Sequence, residues 1–220
     1  MIPPQRIALV FDMDNTLLKS RIDFLAIRRD LGALLRAGGG GEEAEEDLRL
    51  QPIAEILARG AAHDRVHGTS LVPRMWQIVA AHEVRGLQDA VPTEDAPQVL
   101  AALRGRGYRI AVLTNTGRAS ALRALASAGL SGCVDTVLTR EDVHALKPAG
   151  DGVAEAIRRL APIDRAYVIG DSWIDGAAAA AGGARFIAYR RPEEELQARG
   201  VRPWSVITAL EELLAVRFDG

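Results

Sequence analysis

Short runs of consecutive apolar residues recur in the chain, and most are followed by turn residues and then by a segment with helical periodicity. Uninterrupted rather than alternating hydrophobicity is typical of strands that are buried on both faces of a parallel sheet. The predicted strands are 7–11, 110–113, 134–138, 167–169 and 186–189, and the helices that follow three of them are 117–129, 152–160 and 174–181. Strands that alternate with helices in this way predict an α/β fold with a doubly wound parallel sheet.

The segment 19–95 breaks this alternation because it contains no run of strand character. Its pattern predicts helices near 22–36, 52–66 and 71–85, with a short acidic helix near 42–48. We therefore expect an all-helical cap domain, residues 19–95, inserted into an α/β core formed by residues 1–18 and 96–220. Four glycines at 38–41, followed by acidic residues, predict a mobile, solvated loop inside the insertion.

Two further helices complete the predicted α/β core. A helix over 95–104 returns the chain to the sheet, and an amphipathic helix over 205–216 closes the fold. The length of 220 residues lies between that of one typical domain and that of two, as a core with an inserted lobe requires.

The composition excludes several classes of protein. With 48% hydrophobic residues, 25% charged residues and a net charge of -2, the chain is typical of globular proteins and lacks the basic excess of a nucleic-acid-binding protein. No segment approaches the roughly 20 apolar residues that cross a bilayer, so no membrane span is expected. The single cysteine, Cys133, can form no intramolecular disulfide, and the N-terminus lacks the layout of a secretory signal. We therefore expect a cytoplasmic protein.

Polar residues follow the predicted strands at the points where the strands end. Ligands of open α/β sheets bind outside the carboxyl ends of the strands, so these residues are candidates for a site. They are Asp12, Asp14 and Thr16 after the first strand, Thr114, Asn115 and Thr116 after the second, Lys147 and Pro148 after the third, and Gly170, Asp171, Ser172 and Asp175 after the fourth. Each alone is an ordinary turn or cap residue. Their joint placement indicates a site, because independent turn residues have no reason to share one edge. Lys147 is also one of only two lysines among the 27 basic residues.

In these motifs the chain resembles the haloacid dehalogenase-like (HAD) hydrolase superfamily, in its branch of small phosphatases with a helical cap, similar to the phosphoglycolate phosphatases. The motifs are DMDNTL at 12–17, LTN at 113–115, KP at 147–148 and GDSWID at 170–175. The resemblance covers the whole chain, with the cap inserted between the first and second motifs. Asn15 stands where many relatives carry glycine, and asparagine also tolerates a left-handed backbone.

The resemblance implies a magnesium-dependent phosphatase that forms an aspartyl-phosphate. Asp12 would attack phosphorus as the nucleophile. Asp14, two residues further on, would protonate the leaving alkoxide as general acid and then deprotonate the attacking water as general base. Thr114 and the backbone amide of Asn115 would hold the phosphoryl oxygens, and Lys147 would balance the charge of the nucleophile and the phosphate.

A metal ion is expected from the resemblance and also from the charges. The resemblance implies direct ligation by the Asp12 carboxylate, the Asp14 backbone carbonyl and Asp171, with Asp175 bound to the metal or to its water. Independently, four carboxylates against the one ammonium of Lys147 could not hold a phosphate dianion. A hard divalent cation with oxygen ligands, such as Mg²⁺, would remove this conflict.

Several residues outside the motifs are weaker candidates. Lys19 and Arg21, just past the first motif, are interpreted as lining the entrance to the site, and Arg118 is a candidate contact for an anion. His63 and His67 have the i, i+4 spacing of a ligand pair, but a surface or packing role is the more common reading of this pattern. A further pair, Met75 and Trp76, lies at helical spacing with neighbouring valines and is typical of a core, and no function follows from His82.

Alternative functions remain open at this point. A phosphoacceptor receiver module also gathers acids, a hydroxyl and a lysine around magnesium, but receivers have about half this length and place their acceptor aspartate on a later strand. A dehalogenase has no need of Asp14, Asp171 and Asp175. A phosphomutase shares every phosphate-handling group and differs in the cap. The favoured hypothesis is a phosphatase, monomeric or homodimeric, acting on a small phosphorylated metabolite that is phosphoglycolate-like by resemblance.

Overall fold

The computed structural model describes residues 6–40 and 51–218, which form two compact units. One unit contains the chain up to Ser20 and from Ala90 onward, and the other lies between Arg21 and Asp89. The second unit is shorter at both ends than the predicted insertion 19–95. The reason is that strand β2 (Leu18–Lys19) pairs antiparallel with strand β3 (Val91–Pro92), which keeps both segments with the first unit.

A six-stranded parallel sheet forms the centre of the first unit. The predicted doubly wound α/β architecture is confirmed. Its strands are β1 (Ile7–Phe11), β4 (Arg109–Leu113), β5 (Thr136–Leu138), β6 (Arg165–Gly170), β7 (Arg185–Tyr189) and β8 (Ser205–Ile207), in the spatial order β5-β4-β1-β6-β7-β8. All five residues of β1 are buried, because this strand lies inside the sheet with β4 on one side and β6 on the other. A sheet covered on both faces explains the uninterrupted apolar runs.

Helices connect the parallel strands of this unit. They are α4 (Ala96–Gly105), α5 (Arg118–Ser127), α6 (Asp151–Leu160), α7 (Trp173–Ala181) and the short α8 (Glu193–Gln197). Val153 and Ala156 of α6 and Ala178 of α7 belong to the same buried cluster as Val10 of β1 and Val168 of β6. Small side chains at these contacts allow the helices to approach the sheet closely.

The predicted C-terminal helix over 205–216 is wrong. Residues Ser205–Ile207 form β8, which pairs parallel with β7, and the following segment Leu210–Leu214 is a short 3₁₀ helix. Trp204 already donates its backbone N–H to the carbonyl of Phe186 at 2.7 Å. Hydrogen bonds to a neighbouring strand therefore override the helical periodicity of this segment.

The second unit is built from α1 (Phe24–Ala37), α2 (Ile53–His67) and α3 (Leu71–Leu87), as the sequence predicts. Met75 is completely buried, as expected of a core residue, and Trp76 is partly buried. Gly86 of α3 lies so close to Ile22 that an added Cβ would come within 2.5 Å of the Ile22 Cα. The predicted acidic helix near 42–48, and Gly41 of the glycine run, lie outside the described residues. In the part of the chain that the structure describes, no helix combines the length and apolar character needed to cross a membrane.

Candidate active site

Three loops converge at the carboxyl ends of neighbouring strands β4, β1 and β6. The backbone ladder continues one residue beyond β1 and β4, because the Asp12 N–H donates to the Ile169 carbonyl at 2.8 Å and the Thr114 N–H donates to the Leu138 carbonyl at 3.0 Å. The backbones of Asp12 and Thr114 are therefore fixed by the sheet itself. The sequence prediction that the polar residues after these strands share one edge is consistent with this arrangement.

Lys147 lies at the centre of the site, although it comes from a loop between β5 and α6. Its ammonium donates to Asp12 Oδ1 at 2.5 Å, to Asp175 Oδ1 at 2.6 Å and to the carbonyl of Leu113 at 3.0 Å. The side chain is only 3% exposed. Burial alone would lower the pKa of this ammonium, but the Asp12 and Asp175 carboxylates outweigh burial and raise its pKa above the ordinary value. Lys147 is therefore a fixed positive charge beside both acids.

Asp12, Asp171 and Asp175 form an acidic cluster that fits a metal ion. One carboxylate oxygen of each lies within 4.8 Å of the others, and the structure shows no other such group among the residues it describes. All three donors are carboxylate oxygens, the kind of ligand that Mg²⁺ prefers. The donor chemistry and the spacing thus suit a hard divalent cation.

The pKa values of Asp12 and Asp171 are raised, as expected where buried carboxylates crowd together. Burial raises the pKa of Asp12 well above its ordinary value; Lys147 opposes this shift, and the neighbouring acids add to it. Burial, together with the nearby Asp175 charge, raises the pKa of Asp171 to about 7. Both carboxylates are therefore held at a cost that a bound divalent cation would offset.

Asp14 lies in a different environment from Asp12, although only one residue separates them. Its Oδ2 accepts hydrogen bonds from the hydroxyls of Thr116 at 2.9 Å and Thr114 at 3.4 Å. Its Oδ1 is buried and makes no hydrogen bond of good geometry, but the Ser20 hydroxyl is close enough to oppose the rise in the Asp14 pKa. Burial raises the pKa of Asp14, and the hydrogen bond from Thr116 opposes the shift. Oδ2 is thus anchored by two hydroxyls, and Oδ1 is held less firmly.

A tight turn after β1 gives Asp12 and Asp14 these separate positions. Asn15 adopts a left-handed backbone with φ 60°, and its N–H donates to the Leu18 carbonyl at 2.7 Å. Asparagine is among the few residues other than glycine that adopt this conformation readily, so the departure from the glycine of many relatives is tolerated.

Asp175 reaches the site from the first turn of α7 and also caps that helix. Its Oδ2 accepts the Ser172 backbone N–H at 3.2 Å, while the Ser172 hydroxyl accepts the Ile174 N–H at 3.3 Å. This is a capping box, in which two side chains satisfy the free N–H groups of a helix start. A Cβ on Gly170 would lie 2.5 Å from the Asp175 Cγ, so glycine is required there.

Thr114 and Asn115 make contacts of different kinds. The Thr114 hydroxyl accepts the Thr116 N–H at 3.1 Å as well as reaching toward Asp14. The Asn115 carboxamide is bonded to the backbone of Lys147 through both of its polar atoms. The predicted role of the Asn115 backbone amide toward a phosphoryl group stays a prediction.

Lys19 and Arg118, two of the weaker candidates, are paired with acidic residues outside the acidic cluster. Lys19 pairs with Glu94 at 2.8 Å, and both side chains are exposed. Arg118 donates its backbone N–H to Glu141 at 2.9 Å, and its guanidinium pairs with Asp142 at 2.9 Å. Arg21 belongs to the helical unit.

The cap histidines have structural contacts. The rings of His63 and His67 stack with their centroids 4.4 Å apart, and His63 Nδ1 lies 3.0 Å from the Thr69 hydroxyl. His82 Nε2 lies 2.9 Å from Asp30 Oδ2, bridging α3 and α1. These contacts agree with the packing interpretation of His63 and His67.

Two residues with clear contacts to the site were not assigned a role from the sequence. In the sequence Thr116 is an ordinary polar residue after β4, and the one signal for its role is its spacing of two from Thr114, which places both hydroxyls on one side of an extended segment. Arg191 donates from Nε to the Asp171 carbonyl at 2.9 Å and pairs with Glu195 at 3.0 Å. No sequence signal distinguishes Arg191 from the many other arginines.

Comparisons with known proteins identify the family to which the chain belongs. The model of the haloacid dehalogenase-like hydrolase family matches residues 8–183. A phosphoglycolate phosphatase from Rhodobacter capsulatus is 30% identical over 191 residues, which is 83% of each chain. A plasmid-encoded phosphoglycolate phosphatase from Cupriavidus necator is 40% identical over 86 residues, and that alignment spans only 38% of this chain and 37% of the relative.

Solved structures share the fold. A hydrolase from Pseudomonas syringae superimposes with a TM-score of 0.71 at 22% identity, covering 94% of this chain and 96% of that one. At this identity the likeness establishes the architecture alone.

Proposed function

Since the chain belongs to the haloacid dehalogenase-like hydrolase family, we propose that it is a phosphoric monoester hydrolase that acts on a small phosphorylated metabolite through an aspartyl-phosphate on Asp12. The phosphoglycolate phosphatase relatives support a phosphatase, and a phosphoglycolate-like substrate is the first candidate. Mg²⁺ is the proposed cofactor, held by the three carboxylates of the acidic cluster.

The observation that carries this proposal is the contrast between Asp12 and Asp14. The Asp12 carboxylate belongs to the metal-binding cluster and is bound to Lys147. The Asp14 carboxyl stands outside that cluster, anchored at Oδ2 by the Thr116 hydroxyl and held less firmly at Oδ1. Two acids only two positions apart, in such different environments, suit two different tasks, a nucleophile and a proton carrier.

In the first step a carboxylate oxygen of Asp12 attacks phosphorus, and the bond from phosphorus to the ester oxygen breaks. Asp14, in its protonated form, gives its proton from Oδ1 to the departing alkoxide. The raised pKa of Asp14 favours this form, and the hydrogen bond from Thr116 keeps the carboxyl in one orientation.

Charge compensation comes from Lys147 and from the cluster. The Lys147 ammonium, already bound to Asp12, is placed to balance the oxygens of the transferred group, with Thr114 and the Asn115 backbone amide as further donors. When bound by Asp12, Asp171 and Asp175, Mg²⁺ supplies the remaining positive charge.

In the second step water attacks the phosphorus of the aspartyl-phosphate. Asp14 is now ionised and accepts a proton from this water at Oδ1, which restores the protonated acid. The bond from Asp12 to phosphorus breaks, inorganic phosphate leaves, and the carboxylate is regenerated.

The test is a screen for phosphate release over a panel of phosphorylated metabolites that includes phosphoglycolate and sugar phosphates. We expect turnover of a small phosphomonoester with Mg²⁺ and none after chelation. The Asp12→Asn variant should retain no more than trace turnover. Conversion of a sugar phosphate to its isomer without phosphate release would favour a phosphomutase instead, and a phospho-protein that persists for minutes would favour a receiver module.

A further inference from the structure

The side chain of Asn115 is committed to the backbone of a single residue, Lys147. Its Oδ1 accepts the Lys147 N–H at 3.0 Å, and its Nδ2 donates to the Lys147 carbonyl at 3.0 Å. The carboxamide thereby satisfies both the N–H and the carbonyl of Lys147, as one residue of an antiparallel neighbouring strand would. Both polar atoms of the Asn115 side chain are therefore bonded to the Lys147 backbone.

The other end of Lys147 is held by the same short segment of the chain. The ammonium donates to the carbonyl of Leu113, two residues before Asn115, at 3.0 Å. The segment 113–115 at the end of β4 therefore binds both the backbone and the ammonium of Lys147. This matters because residues 143–150 form no helix or strand, so no regular ladder fixes the backbone of Lys147.

We propose that Asn115 is a positioning residue that acts through Lys147. By clamping the Lys147 backbone to the end of β4, it keeps the ammonium on Asp12 and Asp175. This role belongs to the side chain and is separate from any contact of the Asn115 backbone amide with a phosphoryl group. Its consequence for catalysis rests on the proposed phosphatase function, but the clamp itself can be tested without a substrate.

The first experiment uses the fact that the chain has only two lysines. The Lys147 side chain is 3% exposed, whereas the Lys19 side chain is 45% exposed. Brief acetylation with acetic anhydride, followed by peptide mass spectrometry, gives the labelling rate of Lys147 relative to Lys19. With the two clamping bonds removed in Asn115→Ala, we expect this ratio to rise about 10-fold or more, because the loop opens more often.

Two further variants sharpen the measurement. Asn115→Asp keeps an acceptor for the Lys147 N–H but loses the donor to its carbonyl, so its ratio should lie between wild type and Asn115→Ala. Asp135→Ala is the matched control, since the Asp135 carboxylate accepts the Ile110 N–H at 2.7 Å at the opposite end of β4. The control should leave the ratio of Lys147 to Lys19 labelling unchanged. A ratio in Asn115→Ala equal to that of wild type would overturn the clamp.

The second experiment is a double-mutant cycle on kcat. If Asn115 acts through Lys147, the double variant Asn115→Ala, Lys147→Ala should be no slower than Lys147→Ala alone. We also expect Asn115→Ala to lower kcat by about 10-fold to 100-fold with little change in KM, as loss of a residue that orients a catalytic group does. If the fold-losses in kcat of the two single variants multiply in the double variant, the Asn115 side chain acts on the substrate independently of Lys147. That result would overturn the proposal.

The two experiments separate failure of the clamp from failure of the proposed function. If wild type releases no phosphate from any substrate, the proposed function fails, while the labelling ratio still decides whether Asn115 holds Lys147. If wild type is active and the labelling ratio does not change, the clamp fails and the phosphatase proposal stands.

Discussion

Lys147 and Asp175 form a buried ion pair, with the ammonium 2.6 Å from Asp175 Oδ1 and both side chains almost completely shielded from water. The two residues come from different elements, a loop before α6 and the first turn of α7. The other Asp175 oxygen caps α7, so the pair joins the charge balance of the site to the start of a helix.

Removing the Lys147 charge should destabilise the protein as well as inactivate it. In Lys147→Met, Asp12 and Asp175 lose their shared cation, and breaking a buried pair in this way costs about 3–5 kcal/mol of unfolding free energy. Urea denaturation without metal measures this loss, and Mg²⁺ should restore part of it. Lys19→Met, which removes an exposed pair with Glu94, is the control and should leave stability unchanged. Equal stability of Lys147→Met and wild type would contradict the prediction.

Mg²⁺ should raise the melting temperature of the wild-type protein. A ligand that binds only the folded state stabilises it by mass action, by about 2.7 kcal/mol at 100 times its Kd. In Asp171→Asn the cluster loses one of its three carboxylates, so the midpoint of the Mg²⁺ titration should move to a higher concentration. Calorimetric scans over a Mg²⁺ series give both results. An identical Mg²⁺ response in the variant would exclude Asp171 as a ligand.

Gly170→Ala should disturb Asp175. The added Cβ would lie 2.5 Å from the Asp175 Cγ, so the carboxyl must move away from Lys147 and from its cap. We expect a loss of about 1–3 kcal/mol in stability, typical of overpacking, together with lower turnover. Gly132→Ala is the matched control, because nothing lies within 4 Å of its added Cβ. Comparable effects of both changes would mean that the close approach to Asp175 is unimportant.

Substitution of Asp14 should lower kcat more than substitution of Thr116. Asp14→Asn removes the proton carrier, and we expect a loss of about 10²-fold to 10⁴-fold. Thr116→Val removes only the hydrogen bond to Asp14 Oδ2, so we expect roughly a 10-fold loss. Thr116→Ser, which keeps the hydroxyl, should recover most of the activity. Steady-state kinetics with saturating Mg²⁺ measure all three, and a Thr116→Val enzyme as fast as wild type would remove Thr116 from the mechanism.

Asp64 should give the helical unit a pH-dependent stability. Its carboxylate accepts the Thr69 hydroxyl and the backbone N–H groups of Leu71 and Val72 at the start of α3. The Thr69 hydrogen bond, followed by those from the backbone, lowers the pKa of Asp64 below its ordinary value. This stabilisation is therefore present above the unfolded pKa of about 3.9 and is lost as the pH falls through the lower folded pKa.

The matching measurement compares the melting temperatures of wild type and Asp64→Ala. Wild type should melt higher at pH 6, and the difference should shrink as the pH falls below about 3.9. A difference that is independent of pH would mean that the carboxylate charge contributes nothing to this helix cap.

Much of the site could be predicted from sequence because β1, β4 and β6 are neighbours and their polar residues directly follow apolar runs. The strand-end pattern includes Lys147, but its role beside Asp12 follows only from the family resemblance, since its loop has no periodicity and lies 34 residues after Leu113. The Asn115 clamp depends on where that loop folds back, which no local pattern encodes. Arg118 follows β4 as the site residues do, and the sequence gives no sign that its guanidinium pairs with Asp142.

In the fold, too, some strands can be predicted from their own residues and others depend on distant parts of the chain. The strands inside the sheet, such as β1 and β6, are buried on both faces and produce clear apolar runs. The outermost strand β8 is short and partly exposed, so its three residues resemble the start of an amphipathic helix. This segment is a strand because its backbone pairs with β7, and the order of its side chains gives no sign of that pairing.

The pairing of β2 with β3 has a consequence for how this chain can be altered. Leu18 lies opposite Pro92 and Lys19 opposite Val91, and the Thr93 N–H donates to the Leu17 carbonyl at 2.8 Å. The two ends of the helical insertion are therefore already side by side, and topologically the whole insertion is the loop of a two-stranded hairpin. Long insertions in such a loop add little closure entropy. We therefore expect that a helical lobe of another length or sequence can be grafted between Lys19 and Val91 without changing the order or pairing of the strands that carry the candidate site residues.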